Sequence, residues 1–260
     1  MVGYGWFVSL AFLITVSTST IDGRECNFPP SLWCSSDEIA AACQVVQQCR
    51  QYRTSLEDTA AQPVQFTLYY ETLCPDCQNF YRKQLYPAYK NVGDIMNITL
   101  VPYGNAHEKK SSEGKWQFQC QHGEQECIGN IIDACTISMV KNFTIYFPFI
   151  NCMEEKLYEG DINPPQAAEK CAKQFSLKEI DGILACSRSD TGIMLEHQMA
   201  LKTDALQPPH TYVPWVELNG VHTDRIQKEA ENNLINLICD TYMGVKPPAC
   251  QKKMKYKHRI

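Results

Sequence analysis

Val64-Gln65-Phe66-Thr67-Leu68-Tyr69-Tyr70, followed three residues later by Cys74-Pro75-Asp76-Cys77, is the stretch that decides the fold. Val64, Phe66, Leu68 and Tyr70 alternate with Gln65, Thr67 and Tyr69, the period of a strand. Beyond Cys77, Tyr81, Leu85 and Ala88 recur at the spacing of one helix face. The Cys-x-x-Cys pair therefore sits between a strand and the start of a helix. A thiol there faces unpaired backbone N–H groups and the positive end of the helix dipole, and both favour the thiolate. A thiolate attacks disulfides, and a second cysteine two residues on can resolve the mixed disulfide that forms. Cys74 and Cys77 are thus the candidate catalytic pair. Zinc would need a second close pair of ligands, and the six histidines (His107, His122, His197, His210, His222, His258) are scattered. No metal site is expected. A purely structural Cys74–Cys77 bridge is the other alternative to redox chemistry.

The sequence continues with a second strand pattern over 95–101, which completes a β-α-β unit with parallel strands and a right-handed crossover. Tyr212-Val213-Pro214-Trp215-Val216-Glu217-Leu218 is a further predicted strand, closed by the hairpin signal Asn219-Gly220. A last helix carries Ile226, Ala230, Leu234, Leu237 and Ile238 on one stripe. This order is that of thioredoxin. In such folds a proline at the start of the late strand is cis and faces the dithiol, and Val213-Pro214 occupies that place; they are the candidate substrate-binding residues. The fold expected is α/β and thioredoxin-like, with a large helical, disulfide-rich insertion over about 104–211. Helices are expected at Ile131–Val140 and at Gln166–Phe175, the latter introduced by Pro164-Pro165. A helical insertion of this kind resembles that of bacterial periplasmic disulfide oxidases.

Fourteen cysteines in 260 residues are far more than a reducing cytosol supports, so folding in an oxidising compartment is expected. With Cys74 and Cys77 set aside, twelve structural cysteines remain: Cys26, Cys34, Cys43, Cys49, Cys120, Cys127, Cys135, Cys152, Cys171, Cys186, Cys239 and Cys250. Four can pair near the N-terminus and eight in the main domain, with connectivity left open. The apolar run Trp6 to Val16, followed by Ser17-Thr18-Ser19, predicts a signal peptide over 1–19. No later segment has the length and apolarity of a transmembrane helix, so a soluble mature chain is expected. Asn97-Ile98-Thr99 and Asn142-Phe143-Thr144 are glycosylation sequons, with Asn97 on the outward side of its strand. The formal charge of −5 argues against nucleic-acid binding. Residues 51–63 have the polarity of a linker, the main domain is expected over 64–250, and 251–260 form a basic tail.

Two resemblances sharpen this picture. The spacing C-x7-C-x8-C-x5-C of Cys26, Cys34, Cys43 and Cys49, with Trp33 and the helix start Ser35-Ser36-Asp37-Glu38, resembles a saposin A-type domain over about 20–50. Such a region is implied to be a removable flank or sorting element. The longer pattern C-Q-H-G-x2-E-C-x2-N-x4-C, from Cys120 through His122, Glu126, Cys127 and Asn130 to Cys135, resembles the signature of the gamma-interferon-inducible lysosomal thiol reductase family. Val101-Pro102-Tyr103-Gly104-Asn105-Ala106, Cys152-Met153-Glu154-Glu155 and Thr203-Asp204-Ala205-Leu206-Gln207-Pro208-Pro209-His210 resemble it too. The resemblance spans roughly 64–250. It implies a lysosomal reductase of disulfides in endocytosed proteins, aiding their unfolding, proteolysis and antigen processing. It also implies glycan-borne mannose-6-phosphate sorting by its receptor, trimming at both ends, and no cofactor beyond an external small-thiol reductant. Its catalytic pair falls on Cys74 and Cys77.

Chemistry at lysosomal pH sets a physical demand. A cysteine of ordinary pKa is thiolate in only about one part in three thousand at pH 5. The start of the helix must therefore depress Cys74, and Asp76 is expected to point into solvent, away from the thiolate. Direction of electron flow rests on the resemblance. The alternatives are a secretory-pathway oxidase or isomerase, and a non-catalytic disulfide-rich binding glycoprotein.

Overall fold

The computed structural model describes residues 26–54 and 61–251. The expected signal peptide and residues 252–260 of the basic tail lie outside the described residues, as do 55–60 of the expected linker. The N-terminal flank consists of a 3-10 turn, Pro30–Leu32, and two short helices, α1 (Asp37–Ala42) and α2 (Val46–Thr54). Ser36 caps α1 by accepting the Ile39 N–H at 3.2 Å, and Asp37 and Glu38 face the positive end of that helix. Trp33, Ala40 and Val45 are buried. So small a unit buries little apolar surface, and the bridges Cys26–Cys43 and Cys34–Cys49 staple it. Helix α2 takes the first residues of the polar 51–63 segment into its last turn.

Strand β1 (Val64–Tyr70) has Val64, Phe66, Leu68 and Tyr70 buried, as their alternation predicts. Tyr69 is buried as well, because β1 is the central strand and its other face is covered by Val101 and Trp215. Helix α3 (Pro75–Phe80) runs through a π-helical turn, Tyr81–Leu85, into α4 (Tyr86–Val92). Pro87 lacks an N–H and its ring crowds the carbonyl four residues back, and the wider turn before it relieves that conflict. Tyr81, Leu85 and Ala88 are fully buried, so the predicted stripe is the packed face. Strand β2 (Met96–Pro102) pairs parallel to β1, from Val64↔Met96 to Tyr70↔Pro102. It begins one residue later than the sequence predicts, since Ile95 closes a 3-10 turn.

The insertion opens with a hairpin of β3 (His107–Lys110) and β4 (Trp116–Gln119), which the sequence pattern does not announce because β3 is polar throughout. Five helices follow: α5 (Glu124–Met139), α6 (Phe143–Glu159), α7 (Pro164–Phe175), α8 (Ile180–Ser187) and α9 (Asp190–Asp204). Helix α5 starts well before the expected Ile131. Asn163 and Gln166 form a reciprocal capping box ahead of α7. Cys135–Cys186 ties α5 to α8, Cys152–Cys171 ties α6 to α7, and Cys120–Cys127 closes the loop before α5.

Strand β5 covers only Trp215–Leu218, not the predicted 212–218, and runs antiparallel to β1 in a sheet ordered β2-β1-β5. Pro214 has no N–H for a ladder, and a side chain of the next helix serves this edge instead. Gln227 donates to the Pro214 carbonyl at 2.8 Å and accepts the Val216 N–H at 3.0 Å. Asn219 and Gly220 turn with φ of 53° and 71°, a type I′ geometry. Helix α10 (Asp224–Thr241) buries Ile226, Ala230, Leu234, Leu237 and Ile238 and breaks at Asn233. Cys239–Cys250 anchors its end. The architecture is thioredoxin-like, with the helical insertion between β2 and β5. The flank packs on the start of α10, where Arg225 donates to the Cys26 carbonyl at 2.8 Å. Among the described residues no helix is long and apolar enough to cross a membrane.

Candidate active site

Twelve of the fourteen cysteines form six disulfides, and the two left as thiols are Cys74 and Cys77. Cys74 is the N-cap of α3, with Pro75 in the first turn, where a missing N–H costs nothing. The Cys77 N–H points at Cys74 Sγ over 3.4 Å. The Cys74 thiol is held below its ordinary pKa, chiefly by a hydrogen bond from the Cys77 thiol. Burial opposes this, and the backbone N–H groups of Cys77 and Asp76 add to it. Asp76 is exposed, as expected, yet its charge still works against the Cys74 thiolate. Cys77 is fully buried, and burial pushes its thiol well above the ordinary value, reinforced by Cys74. The two thiols are thus shifted in opposite directions.

The Val213–Pro214 bond is cis, and this segment faces α3 across a groove of 460 Å³ lined by Asp76, Phe80, Lys83, Tyr212, Val213 and Pro214. Residues more than a hundred positions apart thereby share one groove. Asn97 is exposed on β2, with its Nδ2 donating to Gln65 Oε1 at 2.7 Å. Asn142 is exposed and caps α6 through its Oδ1.

What the sequence does not announce is the ring of acids around the dithiol. Glu71, at the end of β1, has a fully buried side chain. Its Oε1 accepts the Asn105 N–H in a short hydrogen bond, and its Oε2 lies 3.4 Å from His122 Nδ1. Gly104, at φ +59°, leaves the space in which that carboxyl lies; a Cβ there would overlap it. His122 Nδ1 is 2.5 Å from Glu126 Oε2, and Glu126 Oε1 accepts the His122 N–H at 2.9 Å. Glu71, His122 and Glu126 each place one ligand atom within 4.8 Å of the others, a spacing that a metal ion would also accept. Asn130 Oδ1 accepts the Thr72 N–H at 3.0 Å and so fixes the loop leading to Cys74. The polar residues of the Cys120–Cys135 pattern therefore converge on the active-site loop; their types were visible in the sequence, their target was not. Burial raises Glu71 to about 7, with Glu126 and Cys74 adding to it. Glu154 of α6, also near the dithiol, is fully buried with both carboxyl oxygens unpartnered. Asp133 of α5 accepts from Tyr70 at 2.7 Å. Burial pushes both carboxyls up.

Comparison with known proteins decides the family. The family model described as gamma interferon inducible lysosomal thiol reductase matches residues 65–175, and a saposin A-type domain model matches 23–53. A gamma-interferon-inducible lysosomal thiol reductase of Carassius auratus is 45% identical over 233 residues, covering 89% of this chain and 87% of the relative. The chain belongs to the gamma interferon inducible lysosomal thiol reductase family. The Mus musculus enzyme of the same name is 38% identical, covering 72% of this chain and 71% of the relative. A gamma-interferon-responsive lysosomal thiol protein of Arabidopsis thaliana is 33% identical, covering 70% and 72%. Among solved structures, BdbD of Bacillus subtilis superposes with a TM-score of 0.46 at 13% identity, over 67% of this chain and 89% of that one. Membership of this family makes the chain a lysosomal thiol–disulfide oxidoreductase, with disulfide-containing proteins as its substrates.

Proposed function

We propose that this chain reduces protein disulfides in an acidic compartment with Cys74 as nucleophile and Cys77 as resolving thiol. The observation that carries the assignment is the state of the cysteines: twelve are locked in bridges, and the two thiols share one helix start with opposed pKa shifts. Cys74 attacks a substrate sulfur and forms a mixed disulfide. Cys77 then attacks Cys74 Sγ and releases the reduced substrate. The backbone of Val213, next to Pro214, receives the substrate strand by β-type pairing in the groove beside α3. An external small thiol returns the Cys74–Cys77 disulfide to the dithiol, and no metal or organic cofactor enters the cycle.

The exposed Asn97 and Asn142 carry N-glycans in this reading, and those glycans present mannose-6-phosphate to a sorting receptor. The flank over 20–50 and the tail over 251–260 are removable. Both flank bridges close within the flank, so one cut in the 55–60 segment frees it from any covalent tie to the reductase domain.

The test is a reductase assay at pH 5 with single substitutions. Cys74→Ser abolishes reduction, because a hydroxyl does not perform the exchange, whereas Cys77→Ser accumulates substrate-linked mixed disulfides visible on non-reducing gels. Full turnover by the Cys74→Ser protein would sink the assignment.

A further inference from the structure

Tyr212 lines the groove beside α3, and it also lines a larger cleft between the N-terminal flank and the reductase domain. That cleft has a volume of 880 Å³, a size that accommodates a ligand. The flank contributes Asn27 and Trp33 to it, and the reductase domain contributes Pro208, Thr211, Tyr212 and Trp215. The Tyr212 ring lies 5.1 Å from the Trp215 ring, and its hydroxyl lies 3.5 Å from Nε2 of His222, another cleft residue. Val213 and Pro214, next in the chain, line the groove. The segment 208–214 therefore passes from the cleft to the groove. Arg225, at the start of α10, holds the flank wall. It donates to the Cys26 carbonyl at 2.8 Å, lies 5.9 Å from the centre of the Trp33 ring, and pairs with Glu229 at 2.8 Å.

We propose that this cleft receives the polypeptide on one side of the substrate's disulfide, so that the flank, while attached, is a specificity element of the reductase. The proposal rests on the thiol reductase reading above, which seats the substrate strand beside Val213. Three to six extended residues span about 10–20 Å, enough to carry such a strand past one tyrosine ring and into the cleft. The lining suits a peptide of varied sequence. Tyr212 is 36% exposed and offers an aromatic face to any side chain. Asn27 and Gln44 bring amides, which donate and accept hydrogen bonds as peptide groups do. Asp224 and Arg225 bring one charge of each sign, so the cleft favours neither anions nor cations. An acyl chain fits less well, because these amides and charges would lose water to it and gain no partner. A small disulfide occupies the groove alone and makes no use of the cleft. Trimming of the flank removes one wall of the cleft and leaves the dithiol, so it changes substrate preference and not the chemistry.

The experiment uses the full chain and synthetic peptides that carry glutathione on a single cysteine through a mixed disulfide. A short peptide flanks that cysteine with single residues; two long ones extend it by about eight residues, one towards each terminus. At pH 5, kcat/KM of wild type is expected to be about tenfold higher for one of the long peptides than for the short one, through a lower KM. Asn27→Trp and Thr211→Trp fill the cleft from its two walls, each at an exposed position. Each is expected to erase most of that gain, while the short peptide and oxidised glutathione react within about twofold of the wild-type rate. Rates independent of length in wild type, or a length dependence that both variants keep, would overturn the proposal. Equal loss on the short and long peptides in both variants would overturn it too, because the effect would then lie at the dithiol. These results leave the reductase reading standing; wild type that reduces no peptide of any length would overturn both. Phosphatidylserine vesicles that bind wild type, are not displaced by the long peptides and fail to bind either variant would assign the cleft to lipid and overturn the proposal.

Discussion

Cys74 and Cys77 stand three positions apart on one helix start, yet the two sides of the dithiol have little in common. Cys74 keeps a small exposed remainder, and three residues before it Glu71 joins Glu126 in facing the partly exposed His122. Cys77 is fully buried beside Tyr81, and the unpartnered Glu154 lies near both thiols. The helix N-terminus serves both thiols. Water and hydrogen bonding separate them: Cys74 receives bonds that stabilise charge, and Cys77 loses its hydration and receives little in return. Motif and helix start bring the two thiols together, and the burial of Cys77 shifts them in opposite directions.

The sharpest way to break this comparison is competitive alkylation at pH 5. Cys74 is expected to react at least about 100-fold faster than Cys77, since each unit of pKa changes the thiolate fraction tenfold. Comparable labelling of both by peptide mapping would show that the two environments are equivalent.

The next test weighs the buried acids as a group. Glu71 is raised from 4.5 to about 7, and Asp133, Glu154 and Glu196 are raised too. A carboxyl whose folded pKa is raised stabilises the fold fully below its unfolded pKa, and that stability is lost as pH rises through the folded value. The contribution of these acids is therefore greatest in acid and declines between about pH 4.5 and 7, partly offset by His210 and His222, whose burial disfavours their charging in acid. For Glu71 the shift corresponds to about 2–3 kcal/mol after allowance for solvent at His122. A Tm lower by about 5–10 °C at pH 7.5 than at pH 5 is expected from calorimetry. Glu154→Gln should flatten that slope; a Tm that rises towards neutral pH would mean that these acids are ionised in the fold.

A smaller effect probes how the insertion braces the Cys74 loop. A Cβ on Gly129 of α5 would stand 3.0 Å from Thr72 Cβ and 3.3 Å from the Pro164 ring. Gly129→Ala is expected to cost about 1–3 kcal/mol by urea unfolding, the range for overpacking, and to slow reduction by displacing Thr72. An unchanged midpoint and rate would show that this contact is slack.

The smallest expected effect is at the flank. A chain cut within 55–60, or spanning Pro63 to Cys250, is expected to keep its rate with small disulfides near pH 5 within about twofold, because a polar segment outside the reductase domain tolerates cleavage. Loss of activity in a fragment that melts cooperatively would make the flank part of the site.

Much of the fold was legible because it follows from local periodicity. The limits of β1, the buried stripe Tyr81–Leu85–Ala88 and the α10 stripe all come from residues that read their own backbone geometry. The misreadings have equally local causes. Strand β5 is shorter because Pro214 and Gln227 replace ladder bonds with a side chain, and β3 was hidden by its lack of any apolar face.

Sequence alone determined the dithiol, its place at a helix start, the oxidising environment and the family pattern, since each rests on residue type and short spacing. Tertiary structure alone decided the six pairings and the short β5. It also decided the meeting of Glu71 with His122 and Glu126, and of Cys77 with Glu154. Those contacts join segments about 50 to 80 residues apart, and a carboxyl's pKa depends on the water removed from it and the charges brought near it. Neither quantity exists until the chain has packed.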